Sequence, residues 1–391
     1  MNDAQRKRAL LTLFSVILLD LIGFALLVPT IPLLAKTYHA SGTILGVIVS
    51  SYTAMQFLFA PLWGRLSDKI GRKRVLIISI VGAGFSMILL GFATNLWMIF
   101  LSRLLGGMFA ANIGVASAYI TDITPNHDRT KAMGLIGVAF GVGFLLGPTL
   151  GGMLVGFGQH VPIFVTSGLN FINAIYAYAV LQEDRHGLHG VKRESLPLRQ
   201  VLTHSLLLKI CIINFVFTFS LTQLETTFAF YMKSIFSSPD SQIYFIFSFM
   251  ALLMILVQGG LIRRLSPRYS DMTLLMVGAG ILSLGFLLLP QVHYVSILLL
   301  PLAAASIGRG VAQPSLTSMA SKVMDTGIGT VMGVFTASTN LARFVGQLSA
   351  GAFFDLRPSV PFYVAGTLML LVFVIVKIDQ QLKLRIITAN R

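Results

Sequence analysis

Apolar residues run along this chain in blocks rather than in alternation. Continuous stretches of about twenty residues, rich in Leu, Ile, Phe, Ala and Gly, recur at 9–31, 43–63, 75–94, 97–120, 132–155, 161–181, 207–231, 241–262, 272–290, 295–319, 330–352 and 360–378. A helix rises 1.5 Å per residue, so about twenty residues cross roughly 30 Å of hydrocarbon. Spanning β-strands would need only about ten residues each and would alternate apolar with polar positions, as these blocks do not. Inside lipid only helices and closed barrels satisfy every backbone polar group. The pattern therefore predicts an all-α integral membrane protein with twelve transmembrane helices. The polar stretch that includes "EDRHGLHGVKRESLPLRQ" divides them six and six: an N-terminal bundle at 1–182, a cytoplasmic linker at 183–205 and a C-terminal bundle at 206–391.

Composition sharpens the same picture, with 55% hydrophobic and 11% charged residues and a mean hydropathy of +0.82, outside the usual balance of a soluble domain. The opening "MNDAQRKRAL" looks like the start of a signal peptide. The apolar run after it is too long, contains Asp20 and lacks a small-residue cleavage site, so it reads as an uncleaved first helix. A single cysteine, Cys211, allows no intramolecular disulfide and no Cys-based metal or redox motif. His186 and His189 read as part of a solvated linker rather than a metal site, and no metal or cofactor is expected.

A net charge of +15 would suggest nucleic acid in a soluble protein, but placement decides its meaning here. Of the 29 Lys and Arg residues, 22 fall on one face of the predicted bundle and three, Lys36, Lys233 and Arg357, on the other. The rest, Arg103, Lys209, Arg309 and Arg343, lie within or at the ends of spans. By the positive-inside rule both termini are cytoplasmic, in a multi-pass protein of the inner membrane. The basic excess is a topology signal, and no nucleic-acid partner follows from it. A monomer in the lipid bilayer is expected.

Charge is densest in "GRLSDKIGRKRVL", residues 64–76, where Arg65, Lys69, Arg72, Lys73 and Arg74 surround Asp68. Gly64 and Gly71 permit tight turns, and Asp68 stands four residues before Arg72, within reach of an ion pair or a helix cap. This stretch resembles the loop signature of the major facilitator superfamily, G-x-L-[SA]-D-[RK]-x-G-R-[RK]-x-x-L. In that family the loop is a cytoplasmic latch whose charges part and re-form. In "GVGFLLGPTLGG", residues 141–152, Gly143, Gly147 and Gly151 recur every fourth residue, leaving one helix face bare for close packing. Pro148 removes a backbone donor and predicts a bend. With Gly152 the string resembles the superfamily's proton antiporter signature, G-x-x-x-G-P-x-x-G-G. "SRLLGGMFAANIGVASAYITDITPNHDR", residues 102–129, opens with an R-x-x-x-G element, Arg103 to Gly107. Together with "LDLIGFALLVPTIPLL" it is similar to tetracycline efflux proteins. The likeness covers most of residues 19–152. In the second half, "GGLIRRLSPRYSDMTLL" stands where the signature loop stands in the first, and "IGRGVAQPSLTSMAS" puts Arg309 where Arg103 stands. The resemblance implies a major facilitator fold, two six-helix halves around a midplane cavity.

Candidate chemistry comes from ionisable residues inside the spans, each of which costs about 2.5–3.5 kcal/mol at mid-membrane unless it faces protein or water. Of fourteen acidic residues only Asp20 and Glu225 lie well inside, in the corresponding first helices of the two halves. Each can carry a proton in exchange for a cationic or metal-bound substrate. Asp20 can instead serve as a structural partner of Arg103 or of another polar helix residue. Asp20 also fits the D-x-x-G string of tetracycline exporters, which use further acids in helices 3 and 9. "IISIVGAGFSMILLGF" and "MTLLMVGAGILSLGFLLL" have none, so that family's drug does not carry over.

Arg103 reads as structural or coupling. Arg309 and Arg343 either suit an anionic or carboxylate-bearing substrate or snorkel toward an interface. Asn112, Asn170, Asn173, Asn214, Gln223, Gln258, Gln313, Asn340 and Gln347 either line the cavity or join helices by hydrogen bonds. Phe217, Phe219, Phe228, Phe230 and Tyr231 suit a flat amphipathic compound or lipid. No Walker-type phosphate loop is present, and "GAGFS" at 82–86 lies inside a span, so no enzyme is predicted. The expectation is a secondary active transporter, a proton-coupled exporter of a small amphipathic compound working by alternating access. The alternative is a uniporter or symporter/exporter for an organic anion or siderophore-like metabolite.

Overall fold

Helix is the only regular structure in the computed structural model, which describes residues 3–124, 128–181, 203–323 and 328–389. The first seven helices are α1 (Asp3–Thr37), α2 (Gly42–Ile70), α3 (Arg72–Gly91), α4 (Leu96–Met108), α5 (Asn112–Ile123), α6 (Arg129–Leu154) and α7 (Val161–Val180). After them come α8 (Ser205–Ile235), α9 (Asp240–Leu256), a π-helical turn at Val257–Leu261, α10 (Ile262–Leu265), α11 (Asp271–Leu288), α12 (Val295–Ser321), α13 (Ile328–Leu356) and α14 (Val360–Ala389). Local chemistry marks several starts. The side chains of Ser41, Asn95 and Ser270 accept the amides of Ile44 (3.2 Å), Met98 (3.0 Å) and Thr273 (3.2 Å), satisfying donors that the first helical turn leaves free.

Pairing α4 with α5, and α9 with α10, gives twelve spans. Among the described residues eleven have both the length and the apolarity to cross a membrane. The twelfth, α13, has the length, 29 residues, but carries Thr336, Ser338, Thr339, Asn340, Arg343 and Gln347 along its middle. Aromatic and aliphatic side chains such as Trp97 (74% exposed), Leu300 (71%) and Phe157 (82%) face outward, as lipid-facing positions require. Most of the expected linker at 183–205, with His186 and His189, lies outside the described residues.

The chain forms two compact units. The first takes α1 to α7 together with Ser238–Phe249. In it α1 packs on α6 and α7, α2 on α4, and α3 on α7. The glycine stripe of α6 explains how close this packing is. A β-carbon at Gly143 would stand 2.8 Å from that of Leu21, and one at Gly147 would stand 2.6 Å from the Ile22 carbonyl oxygen. Gly151 meets the Tyr244 ring, whose hydroxyl is 2.6 Å from Thr30 Oγ1 on α1. The helix runs unbroken through Pro148.

The junction between α2 and α3 is shorter than its glycines predict. Gly64 lies inside α2 with open space around it, and Gly71 alone turns the chain, with φ of 101°. The expectation of a turn at Gly64 is corrected: six more residues of helix, Arg65 to Ile70, follow before the break. Across Gly71, Arg72 reaches Asp68 (2.6 Å), Ser67, and Asp122 at the end of α5 (3.0 Å). Lys73 lies over the Tyr178 ring at 5.2 Å, and Arg65 is exposed.

The second unit takes α8 and the chain from Met250 onward. Here α11 packs on α12 and α14, while α8 packs on α13 and α14. Gly278 and Gly308 bring the backbones of α11 and α12 together, since a β-carbon on either would lie within 3 Å of the other helix's main chain. The two units share a clasp: Ser167 Oγ donates to the Gly84 carbonyl (3.0 Å) in one, and Ser283 Oγ to the Gly366 carbonyl (2.8 Å) in the other. They also share an ion pair at matching helix ends, with the signs exchanged. Arg72 at the start of α3 meets Asp122, whereas Asp271 at the start of α11 meets Lys322 at 2.8 Å.

Gly147→Ala should lower stability by about 1–3 kcal/mol, because the Ile22 main chain cannot move aside as a side chain can. Gly137→Ala, in open space on the same helix, should be neutral or slightly stabilising. Thermal unfolding followed by the fluorescence of Trp63 and Trp97, the chain's two tryptophans, checks both.

Candidate functional site

Asp20 lies mid-way along α1, half-buried, opposite the place where the fourth span breaks. The break falls at Phe109–Ala111, just after the glycine pair Gly106 and Gly107. Gly107 lets α4 sit against the Tyr52 carbonyl of α2. Carbonyls released by the break are claimed by side chains of neighbouring helices: Met108 by Trp63 Nε1, Phe109 by Ser79 Oγ, and Ala110 by Gln56 Nε2 (3.4 Å). Irregular backbone at membrane depth needs such partners, because lipid offers none. Asn112, the first residue of α5, donates from Nδ2 to Asp20 Oδ1 at 2.6 Å. Its own Oδ1 is buried with no hydrogen-bond partner among the described residues.

Arg103 does not join this site. It is 3% exposed, with Nη2 3.7 Å from Met87 Sδ and the guanidinium 5.8 Å from the Tyr52 ring centroid. Its Nε has no hydrogen-bond partner among the described residues. Sulfur and a π-face replace a counter-ion. Of the structural partners open to Asp20, Arg103 is not the one: another polar helix residue, Asn112, holds it. On α7, Asn173 donates to the Val16 carbonyl (2.9 Å), joining two helices, and Asn170 is buried without a hydrogen bond among the described residues.

A second constellation occupies the second unit. Asn214, Thr218, Thr222 and Glu225 fall at i, i+4, i+8 and i+11 along α8, one helical face. They line an open cavity together with Arg309 and Gln313 of α12 and Thr339 and Arg343 of α13. Arg309 Nη1 donates to Glu225 Oε1 at 2.7 Å, with the two side chains 19% and 27% exposed. Arg309 Nε reaches Gln313 Oε1 at 3.4 Å. Glu225 thus neutralises Arg309. Asn214 donates to Thr339 Oγ1 at 2.8 Å, bridging α8 and α13.

Other expected cavity residues are elsewhere. Gln223, fully buried, donates to the Gly346 carbonyl (3.2 Å) and joins α8 to α13. Gln258 sits in the π-helical turn, and neither it nor Asn340 lines the cavity. Of the aromatic residues, Phe217 lines it, while Phe230 packs edge-on against Phe354 and Tyr231 against Phe362. Thr218, Thr222, Thr317, Phe335 and Thr339 were missed by sequence reasoning. For the first two, the regular spacing with Asn214 and Glu225 was a usable signal.

The "Major Facilitator Superfamily" family matches this chain over residues 13–347. The chain is 29% identical to Multidrug resistance protein 2 of Bacillus subtilis (strain 168) over 378 residues, covering 94% of each. It is 29% identical to the class H Tetracycline resistance protein of Pasteurella multocida over 358 residues, covering 88% of each. In fold it is similar to the crystal structure of the human organic anion transporter MFSD10 (TETRAN), with a TM-score of 0.72 at 24% identity, covering 96% of this chain and 100% of that one.

The Glu225–Arg309 pair is testable by a double-mutant cycle with Glu225→Gln and Arg309→Gln. Each single variant leaves its partner partly buried without a counter-charge, so the double variant should lose less stability than the singles together, by about 0.5–3 kcal/mol. The buried, single Cys211 in this unit makes a thiol-reactive dye a suitable reporter of unfolding.

Proposed function

We propose, on the footing that this chain belongs to the Major Facilitator Superfamily, that it exports a small amphipathic compound across the inner membrane in exchange for protons, by alternating access. The chain is a multi-pass membrane transporter and not an enzyme. The observation that carries the proposal is the pairing of Asp20 with Asn112 at the broken fourth span. Asp20 has an amide and no cation beside it among the described residues, so protonation neutralises it without breaking an ion pair. Glu225 is bound to Arg309, so a proton reaches it only by opening that pair. Proton exchange is therefore assigned to Asp20, with Asn112 holding the carboxylate in place, and substrate contact to the cavity around Glu225.

Full-length likeness to multidrug and tetracycline resistance proteins supports export of a drug-like compound. The basic faces counted along the sequence support cytoplasmic termini, and both assigned sites lie within one chain, in keeping with a monomer. A second reading, transport of an organic anion without proton exchange, is favoured by Arg343, which lines the cavity beside Arg309.

Purified protein in proteoliposomes with an internal pH dye separates the two. Challenged with cationic, zwitterionic and anionic compounds, the wild type should move protons with substrate, and Asp20→Asn should abolish that flux. Transport without proton flux, unchanged by Asp20→Asn and by Glu225→Gln, would overturn the coupling assignment and leave the second reading.

A further inference from the structure

The cavity of the second unit holds two guanidinium groups and one carboxylate. Glu225 is spent on Arg309, and Arg309 is also engaged by Gln313. Arg343 lines the same cavity, and no hydrogen bond or ion pair satisfies it among the described residues; the charge of Glu225 acts on it only at longer range. A guanidinium carries five N–H donors and no acceptor, and it stays charged. Snorkelling offers no relief. Arg343 stands near the middle of α13, about 20 Å from either helix end at 1.5 Å per residue, well beyond the reach of its side chain. The cavity thus keeps one unit of positive charge at membrane depth, where charge is tolerated only against protein or a polar lumen.

The walls around it are mixed. Phe217, Leu221 and Phe335 give an apolar face, and Thr218 and Thr339 give hydroxyls. Small-molecule sites are mostly apolar with a few placed polar groups, and this lining has that mixture. A planar fork of donors beside aromatic walls suits a flat molecule with a carboxylate at one edge.

We infer that Arg343 is the residue that selects the substrate of this transporter, by binding a carboxylate or similar planar anion while the aromatic body of the molecule lies against Phe217 and Phe335. The inference rests on the transport reading above and adds the chemical class of what is carried: an amphipathic acid or a zwitterion, not a lone cation. A positively charged group elsewhere on the molecule is tolerated, because the acid end answers Arg343.

Rhodamine B and its ethyl ester share one flat body and differ in the free carboxylate, so they test this directly. Equilibrium binding of each dye to the wild type in lipid nanodiscs, read by fluorescence anisotropy, should favour the acid by about tenfold, the size of one charge-assisted hydrogen bond. Arg343→Gln should remove the preference by weakening the acid alone. Arg343→Lys, which keeps the charge but not the fork, should retain part of it. Equal binding of the two dyes by the wild type, tighter binding of the ester, or a preference that survives Arg343→Gln would each overturn the assignment. The wild-type comparison needs no variant to fold. Proton flux in proteoliposomes is read separately, so transport can stand while the anion site falls.

Discussion

Hydrocarbon solvates no charge, and Asp20, Glu225 and Arg103 have each found a partner within the protein. The solutions differ in kind. Asp20 accepts a hydrogen bond from the Asn112 amide, Glu225 pairs with a guanidinium, and Arg103 settles for a thioether and an aromatic face. Each solution fixes which helix faces turn inward: α1 toward α5, α8 toward α12, and α4 toward α2 and α3. The helix break at Phe109–Ala111 follows the same rule, because its bared carbonyls survive only where Trp63, Ser79 and Gln56 reach them.

Close approach of backbones does the remaining work, since apolar side chains gain nothing by leaving lipid for one another. Gly143 and Gly147 set α6 on α1, and Gly278 and Gly308 set α11 on α12. These contacts form closely packed helix pairs, and Asp20 and Arg309 stand on them. The positions of Asp20 on α1 and Arg309 on α12 thereby depend on residues that carry no functional group at all.

The spans were legible in the sequence because their signal is length and apolarity, which need no knowledge of neighbours. Asp20 and Glu225 stood out for the same reason, as acids in the wrong solvent. Facing was harder to read. Gln223 and Asn214 are both amides on α8, yet one knits helices in a buried interface and the other lines a cavity, because nine residues, about two and a half turns of the helix, leave their two faces half a turn apart. The i, i+4, i+8, i+11 row from Asn214 to Glu225 held that information, but the partner of Glu225, Arg309, lies 84 residues away along the chain and has no local trace. Gly64 and Gly71 look alike as letters. Only the backbone shows that one continues a helix and the other turns it.

The sign exchange between the two units bears on how such a chain assembles. Its halves are similar enough that an element of one could be mistaken for its counterpart during folding, a known failure of repetitive chains. Were the end of α12 to dock against α3 in place of α5, Lys322 would face Arg72; were the end of α5 to dock against α11, Asp122 would face Asp271. Both wrong pairings set like charges together, and both right ones set opposite charges together. Each pair is modest in strength at a helix end near water, but they discriminate in the same direction. The exchanged ion pairs thus act as a key that distinguishes the first half of the protein from the second.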